Sequence, residues 1–375
     1  MTEQFIVKDC WYVAGTSADF PSEKLTGHVI CERPMVMWRT KDGDVVAYDD
    51  RCSHKRFPLS KGRLMPDGTL ECAYHGMRYD MGGKCVMIPS HPTGPISPQA
   101  QVNAFPVIEQ DGLVWVWPGN PDKAETRKPP RVPEVGDSRW ETVCVGPMQV
   151  EANYLLLIEN LLDITHFYPL HDGNIGDIEN SRIPIELEEG ESDGNSYVMT
   201  IRKTENYSQP PYLVDWFHFD KVDRHHTHCL MSPGLTRVVM RNAPPGELKA
   251  RDSEKEFPGE MAVDGNERGY VLIHTHTPTN NKQHVWRVLV NCPAHHMSKG
   301  DASKSTASRA AEMFPEVAAE DLWAVKLQQE MFEYPDDDYS EVFLKPDLAL
   351  RRARKIFHEM YTEEKKSQAG AQAAE

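Results

Sequence analysis

No stretch of this 375-residue chain approaches the roughly 20 consecutive apolar residues that span a bilayer. Hydrophobic residues make up 39% of the chain, so a soluble protein with no membrane partner is expected. The opening residues MTEQFIVKDC lack the basic segment and apolar run of a secretory signal, which makes the cytoplasm the expected compartment and disulfides unexpected. Positive charge is also short: 41 Lys and Arg stand against 57 Asp and Glu, a formal charge of −16. Such a field repels a nucleic-acid backbone or an anionic lipid surface, and neither is expected as a partner. No glycine-rich nucleotide-binding fingerprint, internal repeat or coiled coil is visible. Cysteine is scarce, with eight residues at 10, 31, 52, 72, 85, 144, 229 and 292, mostly scattered like reduced core thiols.

What is present divides in two, as the length allows. The first third reads as short strands and turns, with HVICERPMVMW and VVAY joined across KDGD as a hairpin, and GLVWVW closed by PGNPD. A segment rich in proline and charge, PGNPDKAETRKPPRVPEVGD, has the composition of a boundary. The domains expected are therefore 1–135, all-β, and 136–362, with a flexible tail at 363–375. The second domain opens with a helical pattern, EANYLLLIENLLDITHFYPLH. Strands follow, including GYVLIHTHT and HVWRVLVNC separated by the turn PTNNKQ, and residues 243–268 look like a polar loop insertion. AAEDLWAVKLQQEMF is the most regular part of a helical end. The class is α+β.

Thiolate and imidazole are the side chains that hold soft or borderline metals. RCSHKRF and ECAYHGMRYD place Cys52 with His54 and Cys72 with His75. A single CxxH is weak evidence: Cys292-Pro-Ala-His295 has the same form with no companion pair and reads as core. Zinc sites favour CxxC or HxxxH pairs, whereas a Rieske 2Fe–2S cluster takes two Cys on one iron and two His on the other. Each loop here supplies one of each. Turn residues around them (Pro58, Gly62, Pro66, Gly68, Gly76, Gly82, Gly83) let backbone N–H groups approach the sulfides. Seven basic residues against three acidic ones in 51–84 make a positive island that suits an acidic docking partner.

A second constellation lies in ENLLDITHFYPLH, which holds Glu159, Asn160, Asp163, His166 and His171. On a regular helix Asn160, Asp163 and His166 share a face. His171 lies about 140° away, so it meets His166 only if the helix breaks, and Pro169 is the expected break. Two histidines and a later carboxylate would form the facial triad of non-haem Fe(II) oxygenases. HHTHC at 225–229, with His226 and His228 on one strand face, and the pair His274 and His276 read as ordinary strand residues, some lining a cavity.

CxH, 17 residues, then CxxHG followed by RYDMGGKCVMIP resembles the Rieske domain of aromatic ring-hydroxylating oxygenases. Met77 stands where that family often has Trp, and Cys85 has no partner cysteine in the first loop of the kind respiratory Rieske proteins carry. The resemblance implies a cluster held by Cys52, His54, Cys72 and His75, and a mononuclear Fe(II) held by His166, His171 and a carboxylate on a C-terminal helix. AAEDLWAVKLQQ matches that helix and points to Asp321, with Glu320 as the adjacent competitor. It also implies a C-terminal helix-grip domain with an antiparallel sheet flanked by helices. Asp163 would be a bridge to a cluster histidine of a neighbouring subunit, and Asn160 an asparagine close to the iron. The Asn-to-Asp spacing resembles the homotrimeric branch of dicamba and vanillate demethylases. That branch implies a terminal oxygenase fed by a ferredoxin or an NAD(P)H reductase, which uses O2 to hydroxylate and O- or N-dealkylate an aromatic compound. Ring cis-dihydroxylation, or electron transfer by the cluster alone, are the alternatives. No Arg or Lys stands out as a carboxylate anchor.

Overall fold

The computed structural model describes residues 4–248, 261, 265–297, 303–334 and 339–374. Chain contacts separate two units, one formed by Lys8–Pro129 with Thr277–Asn280 and the other by the remaining described residues.

The smaller unit is built of short strands: β1 (Tyr12–Thr16), β2 (Thr26–Ile30), β3 (Arg33–Arg39), β4 (Val45–Asp49), β5 (Arg63–Leu64), β6 (Leu70–Glu71), β7 (Arg78–Tyr79), β8 (Cys85–Met87), β9 (Ala104–Phe105), β10 (Val107–Gln110) and β11 (Leu113–Val116). They form three sheets among the described residues, ordered β1-β11-β10, β2-β3-β4-β9 and β5-β6-β7-β8. The KDGD turn closes the hairpin of β3 and β4 with Arg39 opposite Val45, and Gly43 takes the positive φ of 101° that a side chain would resist. Val36, Trp38, Tyr48, Leu59, Leu70, Tyr79 and Val102 pack with Cys52 and Cys72 into one core. The β5–β8 sheet therefore carries its metal-ligand loops on a buried apolar base.

The larger unit holds β12 (Trp140–Val150), α1 (Tyr154–Leu162), α2 (Phe167–Leu170), α3 (Ile178–Ser181), β13 (Glu186–Ser192), β14 (Asn195–Ser208), α4 (Pro211–Phe217), β15 (Lys221–Ser232), β16 (Leu235–Ala243), β17 (Arg268–Asn280), β18 (Gln283–Pro293), α5 (Thr306–Met331) and α6 (Leu348–Ala374). The sheet order is β12-β18-β17-β16-β15-β14-β13. Pairs β12–β18, β13–β14, β14–β15, β15–β16 and β16–β17 run antiparallel. α1, α4 and α5 cover one face through Leu156, Leu157, Leu213, Trp216, Ala310, Ala318 and Val325 against Met240, Trp286, Val288 and Val290. This is the helix-flanked antiparallel sheet expected of an α+β fold.

Three details differ from the sequence reading. The connection expected at PTNNKQ shrinks to Asn281-Lys282, because both strands run longer. α6 continues without interruption through 363–374, and Glu364 within it is buried. Of the expected loop at 243–268, residues 249–260 and 262–264 lie outside the described residues.

Candidate metal centres

The two loops of the smaller unit are pinned by backbone hydrogen bonds that begin at the cysteines. Cys52 N–H donates to Phe57 O at 2.9 Å and Cys72 N–H to Met77 O at 2.8 Å. Gly76 N–H returns to Cys72 O at 3.0 Å, with Gly76 at φ 72° and a would-be Cβ only 2.8 Å from Pro89 Cγ. Glycine is thus required directly after His75. The thiols of Cys52 and Cys72 are buried, and burial followed by the neighbouring Cys52 raises the Cys72 pKa. His54 and His75 are exposed and turn the same atom, Nδ1, toward each other at 3.2 Å. Two sulfurs on the protein side and two Nδ1 atoms on the solvent side are the donor set a Rieske cluster needs, and the four residues fit it.

Tyr79 adds a contact the sequence reading missed. Its hydroxyl lies 3.1 Å from Cys52 Sγ and 2.9 Å from Ser53 Oγ, and accepts from Ser53 N–H at 3.2 Å. Burial raises the pKa of this phenol, so it keeps a proton to donate to a metal-bound thiolate. Met77, the departure from the family pattern, is buried in the same core. Cys85 is a buried free cysteine whose thiol burial also pushes up.

In the larger unit the helix ends earlier than expected. α1 stops at Leu162, and Asp163 leaves the helical region at φ −91°, ψ 93°. The cause is local: Asp163 Oδ1 accepts from Thr165 N–H at 2.8 Å and from Thr165 Oγ1 at 2.5 Å, an Asx turn that competes with the helix. Pro169 is not the break. It sits as the third residue of α2, where a missing N–H costs little. The reversal at Asp163 brings His166 back toward His171, with ring centroids 5.1 Å apart. His166 Nδ1 is hydrogen-bonded to the Asp163 carbonyl, which leaves Nε2 facing inward. Asp163 thus meets His166 through its backbone carbonyl, while its carboxylate is held by Thr165.

Asp321 arrives from the buried stripe of α5, which also contains Ala310, Ala318 and Val325. Its Oδ1 lies 3.5 Å from His166 Nε2 and 3.3 Å from His171 Nε2. The ligand atoms of His166, His171 and Asp321 all fall within 4.8 Å of one another, and these residues form the sole such group of three among the described residues. Asp321 Oδ1 is buried without a well-formed hydrogen bond, which is costly unless a cation takes the lone pairs. The site fits a ferrous ion. Glu320 is not a fourth member: it accepts from His171 Nδ1–H at 2.6 Å, on the far side of the ring. Two consecutive carboxylates of one helix thus grip both nitrogens of one imidazole. Burial lowers the His171 pKa, but Asp321 and Glu320 outweigh it and leave it raised; at His166 burial wins and the pKa falls. Asn160 Oδ1 is buried without a partner.

The triad forms one wall of a cleft enclosing about 720 Å³, part of it open to solvent. Its other walls come from β15, β16 and β17, and from α4 and α5 through Tyr212, Trp216, Met313 and Phe314. His226, His228 and His274 face this space while His276, on the same strand as His274, pairs with Thr236 Oγ1 at 2.9 Å. His228 Nδ1–H donates to Leu161 O at 2.5 Å, and the two Nε2 atoms of His226 and His228 lie 3.1 Å apart. Burial pushes His228 and His274 down to about 3. Cys292 is buried and His295 exposed, and the CPAH segment is not part of the triad group. Among the described residues no helix is long and apolar enough to cross a membrane.

Known proteins share this arrangement. Residues 10–106 match the Rieske [2Fe-2S] domain family and residues 150–363 the vanillate O-demethylase oxygenase C-terminal domain family. The oxygenase component of dicamba O-demethylase from Stenotrophomonas maltophilia is 40% identical over 171 residues, 45% of this chain and 48% of that protein, so the alignment takes in about half of the relative. A putative toluene-4-sulfonate monooxygenase system iron-sulfur subunit from Comamonas testosteroni is 34% identical over 64% of this chain and 68% of its own length. The crystal structure of dicamba monooxygenase bound to 3,6-dichlorosalicylic acid superposes with a TM-score of 0.79 at 25% identity, covering 97% of this chain and 99% of that one. With the cluster loops, the histidine pair and the helical carboxylate each in place on this fold, the chain belongs to the Rieske non-haem iron oxygenases of the dicamba and vanillate demethylase type.

Proposed function

We propose that the protein is the terminal oxygenase of a multicomponent monooxygenase that hydroxylates an alkyl carbon attached to oxygen or nitrogen of an aromatic compound, so that the alkyl group leaves as an aldehyde. The observation that carries this reading is the convergence of His166, His171 and Asp321 on one wall of an apolar cleft, in a chain that also bears a Rieske donor set. An electron carrier has no use for the second centre.

Cys52, His54, Cys72 and His75 would hold the cluster, and His166, His171 and Asp321 the mononuclear ion. When bound, the cluster relays single electrons and the ferrous ion offers the open positions at which dioxygen is activated. The chain itself orients and shields. The Asp163 carbonyl keeps the His166 proton on Nδ1, and Glu320 keeps the His171 proton on Nδ1, so both Nε2 atoms stay available. Leu161, Phe167, Leu272 and Phe314 exclude water from the reacting carbon. One O2, two electrons and two protons then give a hydroxylated carbon and a water, and the hemiacetal or hemiaminal collapses to aldehyde and phenol or amine.

The electron donor is a separate ferredoxin or reductase of the cytoplasm. Three chains would assemble, with Asp163 standing between His166 and His75 of the partner subunit, and Asn160 near the iron; the Asx turn and the orphaned Asn160 Oδ1 are compatible with these roles. Iron counting is the decisive test: the purified, iron-supplemented protein should hold three irons per chain and release aldehyde from aryl methyl ethers or N-methylanilides when given reductant. Two irons per chain would leave only the electron carrier, and a cis-diol in place of aldehyde would make the enzyme a dihydroxylating dioxygenase.

A further inference from the structure

The cleft reaches well beyond its iron end. Along α5 its lining runs from Asp321 back to Ala310, a stretch of about 16 Å at the usual rise of an α-helix. β17 gives a similar measure, since Tyr270 lines the wall about 13 Å along the strand from His274. Between these two elements the His274 and Phe314 rings lie 6.0 Å apart. Their far ends meet under α4: Thr306 Oγ1, one turn before Ala310, donates to Trp216 O at 3.4 Å, and the Phe217 and Tyr270 rings are 6.3 Å apart.

Two phenol groups line this far end. Tyr212 on α4 and Tyr270 on β17 are half-buried cleft residues, and among the described residues neither hydroxyl has a hydrogen-bond partner. Their polar neighbours are already engaged. Beside them the buried Arg224 donates from Nε to Asn242 Oδ1 at 2.8 Å and from Nη2 to Gln209 Oε1 at 2.9 Å, and its guanidinium lies 4.5 Å from the centre of the Tyr207 ring. Gln209 in turn donates to Phe219 O at 2.8 Å, so the cation is fixed in place. Burial pushes the Tyr212 phenol up to about 12 and raises Tyr270 as well, while the charge of Arg224 pulls against burial at both. Both hydroxyls therefore keep their protons, and a fixed cation nearby strengthens them as donors. Trp216, whose ring stands edge-on to Tyr212 at 5.2 Å, and Leu272 add apolar surface around the pair.

We propose that the far end of the cleft is a second subsite, in which the Tyr212 and Tyr270 hydroxyls donate to an oxygen acceptor, such as a carbonyl, on the end of the substrate remote from the alkyl group that is lost. The substrate that fills both ends is longer than a single aromatic ring. The proposal rests on the oxygenase reading above and concerns the part of the substrate that lies away from the iron.

Four probes separate length from polarity: 4-(4-methoxyphenyl)cyclohexanone and 4-cyclohexylanisole, alike in shape but for one carbonyl, and the single-ring pair 4-methoxyacetophenone and 4-ethylanisole. Each is equilibrated by dialysis against the fully loaded protein. The long ketone is expected to bind about tenfold more tightly than 4-cyclohexylanisole, while the short pair differ by less than about threefold. Tyr212→Phe and Tyr270→Phe should each weaken the long ketone by about threefold and together erase its advantage, with 4-cyclohexylanisole staying within about twofold. Equal binding of the two long probes, no binding by either at millimolar concentration, a double variant that keeps the ketone preference, or a short ketone as sensitive to the substitutions as the long one would each overturn the proposal. Should a variant fail to fold, the ranking of the long pair on the unaltered protein decides alone. Iron content is measured on the same samples, so fewer than three irons per chain condemns the oxygenase reading, whereas a wrong ranking at three irons condemns the second subsite alone.

Discussion

The two metal centres of this chain are built on opposite plans. Around the cluster loops every ligand lies between Cys52 and His75, the sulfurs are buried and the imidazoles exposed, and short backbone hydrogen bonds from each cysteine set the geometry. At the mononuclear site the ligands come from an irregular turn and from a helix some 150 positions later, and their geometry depends on α1, α5 and the sheet packing together. A locally built site tolerates change elsewhere in the fold. An assembled one is only as precise as the packing that delivers its parts.

Removing a ligand tests that independence most severely. His171→Ala should lose the mononuclear iron, one of three per chain, and abolish aldehyde release while the visible spectrum of the cluster persists; bleaching of that spectrum would mean the sites are not separable. A smaller effect is expected behind the ligand. Glu320→Ala removes the acceptor at His171 Nδ1 and should weaken Fe(II) binding by about 10- to 100-fold, with Glu320→Gln recovering much of it, as read by competition with a chelator. The gentlest change falls in the cluster loops. Tyr79→Phe deletes the hydroxyl near Cys52 Sγ, which favours the more negative, reduced cluster by about 1 kcal/mol, so the midpoint potential should drop by about 40 mV in an EPR-monitored titration with iron content unchanged.

The same contrast explains what could be read in advance. Cys52, His54, Cys72 and His75 announced themselves because ligand types, spacing and turn residues all lie within one short segment. For His166 and His171 the residues were legible but the backbone was not: proline looked like the helix breaker, whereas the Asp163 carboxylate had already ended the helix by capturing Thr165. An Asx turn leaves no periodicity to detect, only an aspartate among apolar neighbours. Glu320 and Asp321 were a choice between two adjacent acids on sequence grounds, settled toward Asp321 by resemblance. On the helix they occupy neighbouring azimuths and engage different nitrogens of one ring. The α4 and α5 side of the cleft was missed because an amphipathic stripe shows that a helix packs, not what it packs over.

By itself, then, the order of residues determined the donor chemistry, the two-part organisation and the strand-rich character, since ligand type, charge and alternation are properties of the chain read a few positions at a time. Tertiary structure alone decided that Glu320 backs His171, that Tyr79 reaches Cys52 and that Trp286 holds His274 in one tautomer. Each of these is a contact of about 3 Å between side chains far apart in sequence or on different elements, and only the packed core brings such atoms within reach of one another.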